Sequence, residues 1–275
     1  MTMRYFLCPV SGTPADSPAL ATALKLARDA GGHVRALFVR PQVSAAIPYL
    51  GEGITSSAMA EIARQATIAA DHALARARKA VADSGGDESI LSLREDDGYF
   101  ADQVAAAGRL ADAVVFAVNQ GGEPFPERSA VEEVLLHARR PLILAPRKAP
   151  ATIGKRVAIL WNNSLPAAHA VTAAMPFLEK AESIDIIHRA SDKDGAGETR
   201  ELAEAFSIRK LKHQVRLIAA GSARDHDALT DAVRAANADL VVMGGYAHSR
   251  IRELVFGGVT RHMLSLGDIT VLMAH

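Results

Sequence analysis

The sequence predicts an α/β protein built from two tandem, open, five-stranded parallel-sheet domains. Short apolar runs typical of buried strands alternate along the whole chain with alanine-rich stretches of helical periodicity. Strands that are joined through helices run parallel, with right-handed crossovers. The pattern starts again near the middle of the chain, and 275 residues are enough for two domains of ordinary size.

In the first half, apolar runs predict five strands, and the stretches between them predict four helices. The predicted strands are Tyr5–Cys8, Val34–Val39, Ser89–Leu93, Val114–Val118 and Leu142–Ala145. The predicted helices are Pro18–Ala30, Ser57–Val81, Tyr99–Ala107 and Ala130–Ala138.

The second half repeats this pattern: FLCPVSGT at 6–13 aligns with VAILWNNS at 157–164, and ADAVVF at 111–116 with ADLVVM at 238–243. Internal repetition of this kind organises a whole chain. Strands are predicted at Val157–Trp161, Ile184–His188, Val215–Ala219, Leu240–Met243 and Thr270–Met273. Helices are predicted at Pro166–Lys180, Glu198–Leu211, Arg224–Ala236 and Gly258–Leu266. A linker with Pro and Gly, Arg147–Gly154, separates predicted domains at 1–147 and 155–275.

The composition is that of an ordinary globular protein, with 49% hydrophobic and 23% charged residues. Lys+Arg and Asp+Glu both number 31, so no overall charge draws the chain to nucleic acid or to a membrane surface. The single cysteine, Cys8, excludes an intrachain disulfide, and no apolar run approaches the roughly 18 residues of a membrane span. We therefore expect a cytoplasmic protein without a nucleic-acid or membrane partner.

The most informative stretch runs from Ala238 to Leu266. A predicted strand ends at Gly244-Gly245, and a second glycine pair, Gly257-Gly258, precedes a predicted helix. Glycines let backbone N–H groups approach a ligand closely. A helix N-terminus adds unpaired N–H donors and the positive end of the helix dipole. This arrangement predicts an anion site, and phosphate is the anion it suits best.

This stretch resembles the C-terminal signature of the universal stress protein family, G-x2-G-x9-G-[ST]. In nucleotide-binding members that signature wraps the phosphates and ribose of ATP. Gly244 and Gly257 match its first and third glycines, whereas Ala247 replaces the second glycine and Gly258 replaces the Ser/Thr. The resemblance implies an adenine nucleotide α-hydrolase-like, Rossmann-like fold. It also implies that the two domains pack as a pseudo-dimer, whose edge strands at 142–145 and 270–273 join one continuous sheet.

In an open parallel sheet, ligands bind beyond the carboxyl ends of the strands, where the strand order reverses. Asn162 and Asn163 follow the first strand of the second half, and Asn162 stands where nucleotide-binding relatives carry an Asp that reaches the adenosine. Alternatively, these asparagines with Ser164 turn the chain and cap the helix at Pro166. The predicted nucleotide site consists of Asn162, Asn163, Gly244, Gly245, Ala247, His248, Ser249, Arg250, Gly257, Gly258, Val259 and Thr260. His188 either lines the adenine pocket or is a partly buried surface residue.

The first half lacks an equivalent loop. Gly121-Gly122 lies within Asn119–Ser129, and the helix that follows has Glu132 and Glu133 in its first turn. These carboxylates would repel a phosphate, so we expect the nucleotide site of this half to be degenerate.

The predicted function is a stress-response regulatory protein that binds ATP or a related adenine nucleotide, with Mg²⁺ as a possible companion. No residue is an obvious general base, so any ATP hydrolysis is expected to be slow. Walker, GxGxxG and GxSxG motifs are absent, and the ten histidines form no metal-ligand spacing.

Two other functions stay open. The departures at Ala247, Gly258 and Asn162 favour a scaffold that binds no nucleotide and acts through a protein partner or as a homodimer. A more distant alternative is an adenylating enzyme, because Ser11–Ser17 resembles the SGGxDS loop of ATP pyrophosphatases. A turn with Asp16 or Ser17 as helix cap explains that segment better.

Overall fold

The computed structural model describes residues 2–41, 55–117, 128–190, 195–219, 225–245 and 267–275. Within these ranges the chain forms ten strands, β1 to β10, and seven α-helices, α1 to α7. The strands are Tyr5–Val10, His33–Pro41, Leu91–Gly98, Ala113–Ala117, Leu142–Ala145, Arg156–Trp161, Ser183–Ala190, His213–Ala219, Leu240–Gly244 and Thr270–Ala274. The helices are Asp16–Ala30, Ser56–Asp83, Phe100–Gly108, Arg128–Glu132, Leu165–Leu178, Gly195–Ile208 and Asp225–Ala235.

All ten strands form one sheet in the order β3-β2-β1-β4-β5-β10-β9-β6-β7-β8. Neighbouring strands are parallel except at the centre, where β5 and β10 pair antiparallel, with Val271 opposite Leu144 and Met273 opposite Leu142. We call this pairing the seam. It confirms the predicted fold class, two five-stranded parallel sheets packed as a pseudo-dimer. The carboxyl ends of β1–β5 therefore lie at one end of the sheet and those of β6–β10 at the opposite end.

Helices cover the sheet on both faces. Helices α1, α2, α5 and α6 pack on one face, over a core that includes Phe6, Ile143 and Ile159. Helices α3, α4 and α7 pack on the other face, over Leu7 and Leu144. Because both faces are buried, the central strands have continuous apolar sequences rather than alternating ones.

A repeated aspartate fixes the amino end of the first strand in each half. Asp112 accepts the N–H groups of Arg4 and Tyr5 at 2.7 and 2.9 Å. Asp239 accepts the N–H of Arg156 at 3.0 Å, together with further donors of the preceding turn. This shared task explains why the Ala-Asp pair recurs in the sequence.

Two predicted elements differ from the observed ones by more than small shifts of their ends. The strand predicted at Ser89–Leu93 is wrong in its bounds, because Asp87 turns the chain, its carbonyl accepting the N–H of Leu91 at 2.9 Å. Strand β3 instead runs to Gly98 and is polar, since it lies at the rim of the sheet and pairs only with β2 there. The helix predicted at Ala130–Ala138 divides into α4 and a π-helical segment, Glu133–Ala138.

The helix predicted at Gly258–Leu266 lies outside the described residues. The domain limits at residues 147 and 155 stay predictions. Among the helices of the described ranges, none is long and apolar enough to cross a membrane.

Candidate functional site

The predicted site residues that the structure describes meet where the strand order of the second half reverses. Strand β6 pairs with β9 on one side and with β7 on the other. Leu160 lies opposite Met243, so the segment Asn162–Ser164 after β6 and Gly244 at the end of β9 emerge side by side. Ligands of open parallel sheets bind in the crevice formed at such a point. We call this place the β6–β9 crevice.

Asn162, Asn163 and Ser164 form a tight turn that starts α5. The carboxamide oxygen of Asn162 accepts the Ser164 Oγ hydroxyl at 2.7 Å and the Ser164 N–H at 3.3 Å. The Ser164 Oγ in turn accepts the N–H of Ala167 at 3.3 Å, as an N-cap does. Asn163 is left-handed, with φ of 52°, which Asn tolerates better than most residues. The turn-and-cap interpretation therefore describes this segment, and both asparagines remain exposed at the crevice.

Gly244 lies directly against the first turn of α5. A Cβ at this position would be 2.6 Å from the backbone nitrogen of Ala167 and 2.8 Å from the carbonyl carbon of Pro166. No side chain fits there without moving the helix. The glycine is thus required for the close approach of β9 and α5, whatever ligand the crevice takes.

Gly245 is held by the last two residues of the chain and lies close to the first half. Its N–H donates to the Ala274 carbonyl at 2.8 Å, and its own carbonyl accepts the His275 Nδ1–H at 3.0 Å. A Cβ there would be 3.1 Å from Met273 Cε and 3.4 Å from Leu135 Cδ1, which comes from the π-helical segment of the first half. The Gly245 amide is therefore used within the protein.

The other predicted nucleotide contacts lie outside the described residues. They are Ala247, His248, Ser249, Arg250, Gly257, Gly258, Val259 and Thr260. Their assignment continues to rest on the spacing of the sequence motif.

A buried cluster beside the crevice was not assigned from the sequence. His188 at the end of β7 is only 2% exposed, so its interpretation as a partly buried surface residue is wrong. Its Nδ1–H donates to the Trp161 carbonyl at 2.9 Å. Its Nε2 lies 3.0 Å from Glu198 Oε2, which is close enough for an ion pair if the imidazole is protonated. The geometry of this contact is not that of a hydrogen bond. The Trp161 indole N–H donates to the Glu198 carbonyl at 2.8 Å, so the cluster ties the start of α6 to β6 and β7.

In the first half, α2 packs directly against the loop that follows β1. A Cβ on Gly12 would be 2.2 Å from the Ala73 carbonyl oxygen, and the Gly12 carbonyl accepts the Arg76 Nε–H at 2.7 Å. The interpretation of Asp16 or Ser17 as helix cap is wrong: the N-cap is Ala15, which makes no side-chain bond to the helix.

Instead, the carboxylate of Asp16 folds back onto this loop. It accepts the N–H groups of Ser11 and Gly12 at 3.0 and 2.7 Å. Burial raises the pKa of the Asp16 carboxyl, although these bonds act in the opposite direction. Gly121 and Gly122, like the rest of residues 118–127, lie outside the described residues.

No group of three metal-ligating side chains occurs in the part of the chain that the structure describes.

Comparison with known proteins supplies the context for this geometry. The model of the universal stress protein family matches residues 164–275. A universal stress protein from Archaeoglobus fulgidus superposes with a TM-score of 0.71 at 16% identity, covering 98% of this chain and 97% of that chain. A Pseudomonas aeruginosa protein assigned to the universal stress proteins gives 0.56 at 14% identity, with 98% and 92% covered. At these identities the likeness establishes the fold. No curated protein gives a significant match.

Replacing Gly244 by Ala should lower the free energy of unfolding by about 1–3 kcal/mol, because the new methyl group must displace the backbone of α5. The matched control is Gly245→Ala, where the methyl group meets the flexible end of Met273 and the loss should be smaller. Urea denaturation of the two variants measures the difference. Equal losses would mean that the approach of β9 to α5 is not tight.

Replacing Asp16 by Asn should make stability depend less on pH. The folded-state pKa of Asp16 is raised above its ordinary value of 3.8, so the folded protein binds the proton more tightly than the unfolded chain. This contribution is complete below 3.8 and is lost as the pH rises through the folded-state value. The stability of the wild type relative to Asp16→Asn should therefore increase on acidification. Denaturation at several pH values tests this, with the exposed Asp29→Asn as control; a shrinking difference would contradict it.

Proposed function

We propose that residues 164–275, the part of the chain that the universal stress protein family model matches, bind ATP or a related adenine nucleotide, with Mg²⁺, as a regulatory ligand. Binding occupies the β6–β9 crevice. The bound and free states would then differ in the loop that follows β9, which a partner could distinguish. ATP hydrolysis is not required for this role.

The observation that carries the proposal is the convergence of two segments at the switch point of the second half. The segment after β6 leads into an N-capped helix, and β9 ends in a glycine packed on that same helix. A ligand in this crevice lies close to the positive end of the α5 dipole. An anionic ligand is favoured there, and the segment that follows in the sequence resembles the phosphate-binding signature of the family, from which it differs at Ala247 and Gly258.

The described residues limit which groups can contact the nucleotide. The Asn162 oxygen is used by Ser164, so the carboxamide NH₂ is the part of Asn162 that a ligand acceptor can use. The exposed Asn163 side chain offers a second amide. Since the Gly245 N–H is bonded to Ala274, we remove it from the set of phosphate donors. The proposed phosphate contacts are therefore the backbone of residues 247–260 and the side chains of Ser249, Arg250 and Thr260.

The first half does not share this role in the proposal. Its loop after β1 is packed under α2, with Gly12 against Ala73 and Asp16 occupying the loop amides. With its Ser11 and Gly12 amides bonded to this carboxylate, the loop cannot offer them to a ligand. One nucleotide per chain is the expected stoichiometry.

A scaffold without nucleotide is the second candidate, and one observation favours it. The first amide of the glycine-rich loop, that of Gly245, is satisfied by the protein itself. If the amides that follow are satisfied in the same way, no donors remain for a phosphate. The protein would then act through a partner or through self-association.

Isothermal titration of the full chain with ATP and Mg²⁺ should give one binding site per chain. Arg250→Ala should weaken binding about tenfold, because it removes a charge-assisted hydrogen bond to phosphate worth roughly 1.5–3 kcal/mol. Arg64→Ala is the matched control. That arginine lies exposed on α2, paired with Glu61 at 2.7 Å, and its loss should leave binding unchanged.

Mass spectrometry of small molecules released from freshly purified, undialysed protein adds an independent measurement. A copurified adenine nucleotide supports the proposal. The absence of both copurified nucleotide and binding heat at millimolar ATP would overturn it and leave the scaffold. Restoring the family signature with Ala247→Gly and Gly258→Ser should tighten binding if the loop holds phosphate.

A further inference from the structure

The two rims of the ten-stranded sheet differ in how they are protected against pairing with another strand. Strand β3 forms one rim and β8 the other. Native proteins commonly protect exposed rims with charged side chains, since unpaired backbone groups template further pairing. A rim without such charges is open to pairing with a partner strand.

Strand β3 is covered with charge. It carries Arg94, Glu95, Asp96 and Asp97 in succession. Glu95 pairs with Arg78 of α2 at 2.7 Å, and Arg94 pairs with Asp96 at the same distance. A second strand could join this rim only by displacing or burying these ion pairs, which is costly.

Strand β8 lacks this protection. Val215 and Leu217 are 40% and 50% exposed, and Ile208 at the end of α6 is 81% exposed. The one cation within β8 that the structure describes as ion-paired is Arg216, which is neutralised by the buried Asp185 on β7. In the described ranges, no strand lies on the outer side of β8.

The two exposed apolar side chains of β8, those of Val215 and Leu217, lie on one face of the sheet. Val215 is opposite Ile186 on β7, and Leu217 is opposite His188. Neighbouring residues in parallel strands point to the same face, here the face that α6 covers. The rim of this face therefore presents Val215 and Leu217 to solvent, and Ile208 at the end of α6 is exposed as well.

We propose that β8 pairs antiparallel with β8 of a second copy of this chain, which joins two ten-stranded sheets across a two-fold axis at Val215. This register places Val215 opposite its own copy and His213 opposite Leu217. On the other face, Gln214 comes opposite Arg216. In this register no two residues of like charge lie opposite each other. The apolar contacts lie near the two-fold axis, where a self-complementary interface places the same surface of both copies.

Charge complementarity at the two ends of β8 supports a second copy as the occupant. The turn before β8 is basic, with Arg209, Lys210 and Lys212 exposed. After β8 comes α7, whose first turns carry Asp227 and Asp231 on the exposed side. Antiparallel pairing places the start of one β8 beside the end of the other. The basic turn of each copy then faces the acidic start of α7 in its partner.

The size of the contact sets its expected strength. A stable interface buries about 800 Å² on each partner, more than one short strand supplies. The end of α6 and the start of α7 must therefore contribute, and both helices pack on β7 and β8, from opposite faces of the sheet. We expect a reversible dimer that weakens as salt screens its charged ends. The same kind of contact already occurs within the chain, where antiparallel pairing of β5 with β10 joins two parallel sheets at the seam.

Sedimentation of the full chain over micromolar to near-millimolar concentrations tests the proposal. The wild type should dimerise, and Val215→Lys should raise the dissociation constant at least about tenfold, because it opposes two ammonium groups at the axis. Leu110→Lys is the matched control, an 84% exposed leucine far along the chain from β8, and it should leave the dimer intact. Circular dichroism verifies that both variants fold.

A cysteine at the proposed axis tests the register even if Val215→Lys fails to fold. Val215→Cys in a Cys8→Ala background should form a disulfide-linked dimer under mild oxidation, whereas Leu110→Cys in the same background should not. A wild type that stays monomeric throughout would overturn the proposal. A dimer that resists Val215→Lys, or that does not cross-link through Val215→Cys, would also overturn it.

Discussion

The antiparallel pairing of β5 with β10 is the interaction on which the rest of the molecule depends. Both strands are short and fully buried, and their side chains belong to the cores on the two faces of the sheet. Separating them would expose apolar surface on both faces and leave two rows of backbone groups without partners. The seam therefore joins two parallel sheets into one stable unit, and it fixes their opposite orientation.

That orientation places the candidate crevices of the two halves at opposite ends of the sheet. The carboxyl ends of β1–β5 and of β6–β10 point in opposite directions, so the two candidate crevices cannot combine into one. The sequences have diverged at these ends. In the first half a buried aspartate and a glycine under α2 fill the loop, whereas the second half has an N-capped turn at an exposed crevice. The repeated aspartates, Asp112 and Asp239, keep the same task at the opposite ends of the strands.

Much of the fold could be predicted from the sequence, because the central strands are buried on both faces and carry continuous apolar runs. The rim was predictable only in part. The length of β3 cannot be predicted from an apolar run, because most of its residues are polar. Hydrogen bonds to β2, and not burial, determine where this strand ends. The π-helical segment was also missed, because its apolar spacing is the same as that of an α-helix.

The sequence predicts where the candidate site lies, and that location stays a prediction. Local spacing identifies glycines at 244 and 245, but only the packed structure shows that Gly244 meets the backbone of α5 and that Gly245 donates to Ala274. Similarly, Asn162 has the capacity to bind a ligand or to turn the chain, and the position of Ser164 decides how its oxygen is used. The His188 cluster involves three elements that are distant in sequence, which no motif records.

Hydrogen exchange of the native protein measures the stability of the seam most directly. Backbone amides of residues 142–145 and 270–274 should exchange as slowly as those of β1 and β6, because opening the seam requires unfolding of both halves. Amides of β3 and β8 at the rims should exchange faster. If the seam amides exchanged as fast as those of the rims, the two halves would open independently, and the seam would not be the interaction that unites the molecule.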